Sequence, residues 1–220
     1  MTVRVRRHRR RRPDESIVFR ATQMKKTRIN PGGAYSKVIV VMHDPRFPSG
    51  ERAIMKEAAG LRREYSKLAE SMTDTIDELL GWNIVPPTSA RRLPATQRMP
   101  SQDVTIQEWL PHSKTLHVIA GGWRARDGDI YHEKVNFELA SNDLRAMQIG
   151  ALDFIIGNTD RHTGNLLIDR NGVLWAIDHS LAFPTQKNPE PVTMDLFEYL
   201  DGRKIPDSIL QDLRDLKEGD

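Results

Sequence analysis

Cysteine is absent from the 220 residues, which excludes disulfide cross-links, a thiol nucleophile and metal sites built from thiolates. Long apolar runs are also absent, since no stretch approaches the roughly 18 uninterrupted apolar residues that a membrane span needs. Hydrophobic residues nevertheless make up 38% of the chain and charged residues 29%, which predicts a folded core. The length allows one domain of ordinary size, or one built from two closely packed lobes.

Acidic residues are missing from residues 1–12, where seven arginines lie. The other 208 residues therefore carry 26 basic and 30 acidic side chains, a net charge of −4, although the whole chain has +3. Residues 1–13 also lack the apolar stretch of a secretory signal, and with no cysteine in the chain we expect a cytoplasmic protein. We interpret residues 1–13 as a disordered basic arm, either simply solvated or bound nonspecifically to nucleic acid or an anionic membrane surface.

Hydrophobic periodicity and turn residues predict the order of strands and helices beyond the arm. The predicted strands are 35–42 and 52–56, which form a hairpin, 104–109, and 166–168 and 173–177, which form a second hairpin around Asn171 and Gly172. The predicted helices are 61–80 with Gly81 as its cap, a second one from Asn142 to Gly157, and closing helices within 195–200 and 209–216. Residues 112–140 show no clear pattern.

The densest group of polar side chains follows the second long predicted helix. Asp160 and Asn165 lie in one loop, and the predicted hairpin brings that loop close to Asp178. Transfer of a phosphoryl group needs one group that orients the attacking hydroxyl, and oxygen ligands that hold a hard divalent cation on the phosphates. Asp160, Asn165 and Asp178 can supply these groups, and they predict a phosphoryl-transfer site.

The string GNTDRHTGN at residues 157–165 resembles the catalytic loop of the phosphatidylinositol 3- and 4-kinase superfamily and of related small bacterial and phage kinases, including HipA-like proteins. It has the D-R-H order and the D-x-x-x-x-N spacing from Asp160 to Asn165. The resemblance implies an α+β, two-lobed protein-kinase-like fold with a reduced C-terminal lobe. It divides the chain into an amino-terminal lobe over 14–110 and a carboxyl-terminal lobe over 111–220, and it implies ATP and Mg²⁺ as cofactors, with Asn165 and Asp178 as metal ligands.

The same resemblance assigns nucleotide-binding roles in the amino-terminal half. The string RAIMK at residues 52–56 resembles the V-A-I-K strand of kinases, which makes Lys56 the ligand of the nucleotide phosphates. Its partner on the following helix is Glu70, with Glu64 as the alternative. The other implied nucleotide-binding residues are Gln107, Glu108, Trp109 and Leu110 at the interlobe hinge, and Gly32 and Gly33 in the phosphate-covering loop.

The predicted reaction is Mg²⁺-dependent transfer of the γ-phosphoryl of ATP to a hydroxyl acceptor, which can be a protein, a lipid or a small molecule. Asp160 and His162 are both candidates for the group that orients or deprotonates the acceptor, because the D-R-H order does not divide these roles. Asp178-His179-Ser180 takes the place of the kinase D-F-G string. Only 42 residues follow Asp178, fewer than a conventional protein kinase needs for its activation segment and helical subdomain.

Other functions remain open from the sequence. The chain can be a nucleotide-binding pseudokinase, an AMP transferase, or a nucleic-acid-binding protein that acts through residues 1–12. Residues 160–162 can also form only a buried structural ion pair at a helix end. In a metal hydrolase, His162 and His179 would bind a metal together with Asp160 and Asp178.

Overall fold

The computed structural model describes residues 23–27, 37–44, 47–57, 62–93, 102–122, 128–184 and 195–218. The basic arm and the predicted phosphate-covering loop with Gly32 and Gly33 lie outside these residues, so both stay predictions. Within the described residues the chain combines helices with two antiparallel sheets. This is the α+β class, and it is compatible with the kinase-like fold that the resemblance implies.

A five-stranded antiparallel sheet forms the amino-terminal half. Its strands are β1 (Gln23–Thr27), β2 (Lys37–Asp44), β3 (Phe47–Glu57), β4 (Thr88–Leu93) and β5 (Gln102–Glu108), in the spatial order β1-β2-β3-β5-β4. The predicted hairpin of β2 and β3 is confirmed, with a register irregularity between Met42 and Asp44 next to its turn. β4 was not predicted, because the sequence TSARRL has little apolar content and its buried first residues, Thr88 and Ser89, are polar.

The helix α1 (Arg62–Leu80) follows β3 and packs against β4 and β5. Its existence and its end before Gly81, which has φ +67°, agree with the sequence prediction. Three of the apolar residues whose spacing predicts this helix, Leu68, Met72 and Leu79, are 54%, 47% and 67% exposed, whereas a fourth, Ile76, packs against the core. Between residues 68 and 80, the part of the helix whose side chains are described, the buried residues are mostly polar: Ala69, Glu70, Thr73, Asp74, Asp77 and Leu80.

Most of the apolar core that the described residues form lies in the carboxyl-terminal half. Its elements are β6 (Lys114–Thr115), α2 (Leu116–Ala120), α3 (Asp129–Ser141), α4 (Asp143–Ile156), a 3-10 turn (Thr163–Asn165), β7 (Leu166–Ile168), β8 (Leu174–Ala176), α5 (Asp195–Leu200) and α6 (Asp207–Glu218). The strands β6, β7 and β8 form a small antiparallel sheet, in which β7 and β8 are the predicted second hairpin. The helices α5 and α6 confirm the two predicted closing helices. None of the helices in the described residues has the length and apolar character that crossing a membrane requires.

α4 places the predicted catalytic loop, because it runs directly into that loop. Asn142 precedes the helix as predicted, but its side chain does not cap it. Asn142 Oδ1 instead accepts a hydrogen bond from the Leu174 N–H at 3.0 Å, which joins the start of α4 to β8. At the other end Gly157 adopts the left-handed conformation, φ +60°, and ends the helix.

Residues 81–87 connect α1 to β4 and tie the two halves together. Asp77, near the end of α1, accepts hydrogen bonds from the Ile84 and Val85 N–H groups at 3.0–3.1 Å. The Ile84 carbonyl oxygen accepts one from Ala176 in β8 at 2.8 Å, and Arg145 in α4 donates to the Asn83 carbonyl oxygen at 2.8 Å. The position of α1 is thereby coupled to the hairpin that carries the residues before Asp178.

Candidate active site

Lys56, Glu70 and Asp178 meet between the two halves of the molecule, although up to 122 residues separate them in the sequence. Lys56 projects from β3 and forms an ion pair with Glu70 of α1, and its Nζ lies 3.5 Å from Asp178 Oδ1, just beyond β8. Glu70 is nearly fully buried, and the other two side chains are 15% exposed. Glu70 is therefore the helix partner of Lys56 in the structure. The side chain of Glu64, the alternative, lies outside the described part of the chain.

One cation is shared here by two carboxylates, and the pKa directions reflect it. Burial lowers the pKa of Lys56, but Glu70 and Asp178 outweigh it and raise the pKa above its ordinary value. Burial also raises the pKa of Glu70, which Lys56 opposes and Asp178 reinforces. The pKa of Glu70 is thus raised chiefly by burial and further by repulsion from Asp178, whereas the pKa of Lys56 is raised, against burial, because Glu70 and then Asp178 stabilise its cation. Two carboxylates thus share one ammonium group, and the cluster has an excess of negative charge.

Arg161, at the centre of the D-R-H string, is fully buried and holds the 157–165 loop in place. Its guanidinium forms a two-pronged ion pair with Asp153 of α4, with N–O distances of 2.8 and 2.9 Å. Its Nη1 also donates to the carbonyl oxygens of Asn165 and Ile177, both at 2.7 Å. Asn158 donates to the same Asp153 carboxylate at 2.8 Å. Arg161, Asp153 and Asn158 together therefore hold the backbone of this loop in one conformation.

The alternative that residues 160–162 form a buried structural ion pair at a helix end is thus correct for Arg161 only. The Asp160 and His162 side chains are 34% and 38% exposed, and the Asp160 carboxylate lies 3.9 Å from His162 Nε2. Both side chains are accessible from solvent while the residue between them is buried. They can contact an acceptor molecule, which a purely structural ion pair could not.

Asn165 and Asp178 provide the oxygen atoms that a hard cation prefers. Asn165 Nδ2 donates to the Asp160 carbonyl oxygen at 2.7 Å, which leaves the amide oxygen as the part of the side chain that can bind a cation. Asp178 has a positive φ of 59°, an unusual conformation that aspartate tolerates better than most residues. One carboxylate and one amide oxygen suit Mg²⁺, which retains several waters and binds nucleotide phosphates at the same time. The donor set therefore fits the predicted metal.

His179 is the residue whose environment the sequence did not predict. Its side chain is fully buried, and no hydrogen-bond partner for either ring nitrogen is found among the described residues. Burial, followed by the positive charges of Arg161 and Lys56, holds the pKa of His179 well below its ordinary value. The described residues also contain no group of three or more His, Asp or Glu that could hold a metal, so the metal-hydrolase alternative gains no support from them.

The predicted hinge lies at the end of β5, beside β3. The Gln107 side chain is buried and donates to Thr88 Oγ1 at 3.0 Å. The Trp109 N–H donates to the Arg52 carbonyl oxygen at 3.3 Å. The Glu108 N–H donates to the Pro87 carbonyl oxygen, and the Leu110 carbonyl oxygen accepts from the N–H and the hydroxyl group of Ser113. The hinge is thus well ordered by its own contacts, and its role in binding adenine stays a prediction.

Two residues under the loop were missed by sequence reasoning. Tyr131 of α3 is buried and hydrogen-bonded to Thr163 at 2.7 Å, so it supports the loop from below. Asp153 holds Arg161, and a signal for it was present, because it is the single charged residue in the apolar run ALDFII that ends α4. A carboxylate that a helix buries in its apolar face needs a cationic partner.

A comparison with protein-family models finds that the model of phosphatidylinositol 3- and 4-kinase matches residues 143–216. The matched segment contains Asp160, His162, Asn165 and Asp178, whereas Lys56 lies before it. The match confirms the resemblance to this superfamily that the 157–165 string predicts, and the further likeness to HipA-like proteins stays a prediction. No curated protein matches the chain. Kinase-like chemistry, with ATP and a divalent metal as its usual cofactors, is what the matched family implies.

Proposed function

We propose that the chain is a Mg²⁺-dependent kinase that transfers the γ-phosphoryl of ATP to a hydroxyl group. The observation that supports this most is the meeting of Lys56, Glu70 and Asp178 beside the Asp160–Asn165 loop. These residues come from three separate elements, and no local motif accounts for their convergence. We also propose a two-lobed division, with residues 14–110 around the five-stranded sheet and residues 111–220 as a reduced carboxyl-terminal lobe.

Lys56 would bind the nucleotide phosphates, and Glu70 would hold its side chain in position. The ion pair is buried on the Glu70 side, so the ammonium group cannot move far without leaving an uncompensated carboxylate. Lys56 contacts Asp178 only at 3.5 Å, a distance that allows a nucleotide phosphate to replace this contact. Lys56 would then neutralise phosphate charge while Asp178 turns to the metal.

Asn165 and Asp178 would hold the Mg²⁺ ion, which supplies positive charge to the phosphates when bound. Arg161 supports both ligands, because it donates to the carbonyl oxygens of Asn165 and of Ile177, the residue before Asp178. Asp160, one-third exposed on the same loop, would orient the acceptor hydroxyl. The chain thus contributes position and charge, which are the main requirements of phosphoryl transfer.

A radiolabelled-ATP assay against pools of protein, lipid and small-alcohol acceptors tests this proposal. Lys56→Met and Asp178→Asn should each lower turnover by about 10² or more, since each removes charge stabilisation at the reacting phosphates. Lys204→Met removes an exposed lysine and should leave turnover unchanged. Full activity of Asp178→Asn would refute the metal assignment.

The mass of the reaction products separates the proposed kinase from its rivals. A mass gain of one phosphate on an acceptor supports the kinase. A gain of AMP would show nucleotidyl transfer, and ATP binding without any product would show a pseudokinase, so either result refutes the proposed reaction.

A further inference from the structure

His162 and Gly164 form a contact within the 157–165 loop that assigns one ring nitrogen of the histidine. The Gly164 backbone N–H donates a hydrogen bond to His162 Nδ1 at 3.0 Å. A backbone N–H is always a donor, so Nδ1 must be the acceptor and carries no proton. In the neutral ring the single proton therefore lies on Nε2, the nitrogen that is 3.9 Å from Asp160 Oδ1.

This assignment decides whether the imidazole can take a proton from a substrate. The unprotonated nitrogen, Nδ1, points at the Gly164 N–H and not at solvent. A proton placed on Nδ1 would face that N–H and break the hydrogen bond that caps the 3-10 turn. The accessible nitrogen, Nε2, is already protonated and can only donate.

Glycine at position 164 is required for this arrangement for a steric reason. A Cβ atom there would lie 2.7 Å from His162 Cε1 and 2.8 Å from Nδ1, closer than side-chain carbons approach other atoms. Any other residue would therefore displace the ring from the N–H that it accepts. Gly164 thus fixes both the position and the tautomer of His162.

We propose that Gly164 is a positioning residue that makes His162 a hydrogen-bond donor and leaves Asp160 as the proton acceptor of the loop. This inference rests on the proposed kinase function. In the transfer step, the acceptor oxygen bonds to the γ-phosphorus and its proton passes to the Asp160 carboxylate. The bond from the γ-phosphorus to the bridging oxygen breaks, and its electron pair leaves with ADP. His162 gains and loses no proton, and its Nε2–H donates to the charged oxygens of the transferred group.

Two substitutions of His162 separate a donor from a base. In His162→Asn the amide oxygen can replace Nδ1 as the acceptor from Gly164, but no group replaces the Nε2–H. In His162→Gln the longer amide can place an N–H near the position of Nε2. A donor role predicts that Asn lowers kcat by about 10² while Gln stays within about tenfold of the wild type. A general-base role predicts equal losses, because neither amide accepts a proton, and that result would overturn the proposal.

The tautomer can be measured without any turnover. In a two-bond ¹H–¹⁵N correlation spectrum at a pH where histidine is neutral, the His162 signals, assigned by their loss in His162→Gln, should show protonated Nε2 and bare Nδ1. Gly164→Ala should shift these signals and lower kcat with little change in the KM for ATP. A protonated Nδ1 in the wild type would overturn the proposal. If the wild type phosphorylates no acceptor, the kinase proposal fails separately, and the spectrum still decides whether His162 can accept a proton.

Discussion

His179 should make the protein sensitive to mild acid, because its buried imidazole must stay neutral in the native state. Burial is the main reason that its pKa lies well below the ordinary value of 6.5, and the nearby Arg161 and Lys56 lower it further. Neither ring nitrogen has a hydrogen-bond partner among the described residues. The unfolded chain, in which histidine has an ordinary pKa, therefore binds this proton first as the pH falls.

The sign and size of the effect follow from this difference in proton binding. Above the unfolded pKa of 6.5 the native state has its full stability, and below it the stability falls until the pH reaches the native pKa. While the native ring stays neutral, the loss approaches about 1.4 kcal/mol per pH unit. Between about pH 7.5 and about pH 5 this one residue should thus cost about 2 kcal/mol.

His179→Leu removes the titrating group and has a similar side-chain volume. At neutral pH it should be neutral or stabilising by about 1 to 2 kcal/mol, since an unpartnered buried polar group is replaced by an apolar one. In mild acid its advantage should grow by about a further 2 kcal/mol. If leucine packs better or worse than histidine at this site, the change in the free energy of unfolding is the same at both pH values. It therefore cancels when the two values are subtracted.

Urea unfolding followed by tryptophan fluorescence measures the prediction, in buffer that contains a chelator so that no metal binds beside Asp178. Wild type, His179→Leu and the control His132→Leu, which removes an exposed histidine, should be compared at each pH. The wild type and the control should lose stability in parallel, and His179→Leu should lose less. If the free energy of unfolding of His179→Leu falls with pH in parallel with that of the wild type, the inference that His179 is buried as a neutral imidazole is wrong.

Two further predictions concern the loop and its supports. Arg161→Lys should cost about 3 kcal/mol in urea unfolding, because lysine cannot form the two-pronged pair with Asp153; a loss below about 1 kcal/mol would contradict this reasoning. Gly157→Ala should cost about 2 kcal/mol, since φ is +60° and the new Cβ would lie 3.1 Å from Pro184. Gly172→Ala, with φ +77° and no atom within 4 Å of the new Cβ, should cost only about 1 kcal/mol. If the two alanine variants lose equal stability, the contact with Pro184 adds nothing to the cost at position 157.

The elements that were predicted correctly are those whose signals are local. Asn171-Gly172 requires a tight turn, and short apolar runs on both sides supply the strands of the hairpin. α4 has an apolar run between Asn142 and Gly157, and the structure places both residues at its ends. In such segments the residues that determine the structure are neighbours in the chain, so their pattern can be recognised without knowledge of distant contacts.

α3 shows why residues 112–140 could not be assigned. Its buried residues, Tyr131, Val135 and Leu139, form a narrow stripe at every fourth position. Ile130 and Phe137 are 67% and 69% exposed, so apolar residues occur on both the buried and the exposed face. The helical period is then weak in the sequence, and tertiary packing decides which face is buried.

The candidate site divides in the same way between local and distant information. The spacing of Asp160, Asn165 and Asp178 depends on one loop and one hairpin, which is why sequence reasoning could bring these residues together. The pairing of Lys56 with Glu70 depends on how α1 packs against the sheet. α1 buries Glu70, Asp74 and Asp77 and exposes Leu68, Met72 and Leu79, so its apolar pattern does not indicate which face is buried. Only the resemblance to kinases indicated Glu70.

Arg161 explains why a buried cation lies between two exposed side chains in the loop. Its guanidinium binds the carbonyl oxygens of Asn165 and Ile177, so it fixes the backbone at one proposed metal ligand and directly before the other. Its charge is balanced by a buried carboxylate on α4, which transmits the position of that helix to both ligands. A change at Arg161 should therefore displace the two proposed ligands together, whereas Asp160 and His162 are the partly exposed groups that we propose to face the acceptor. The central residue of the string thus holds the backbone of the loop from inside, while the side chains on either side of it are partly exposed.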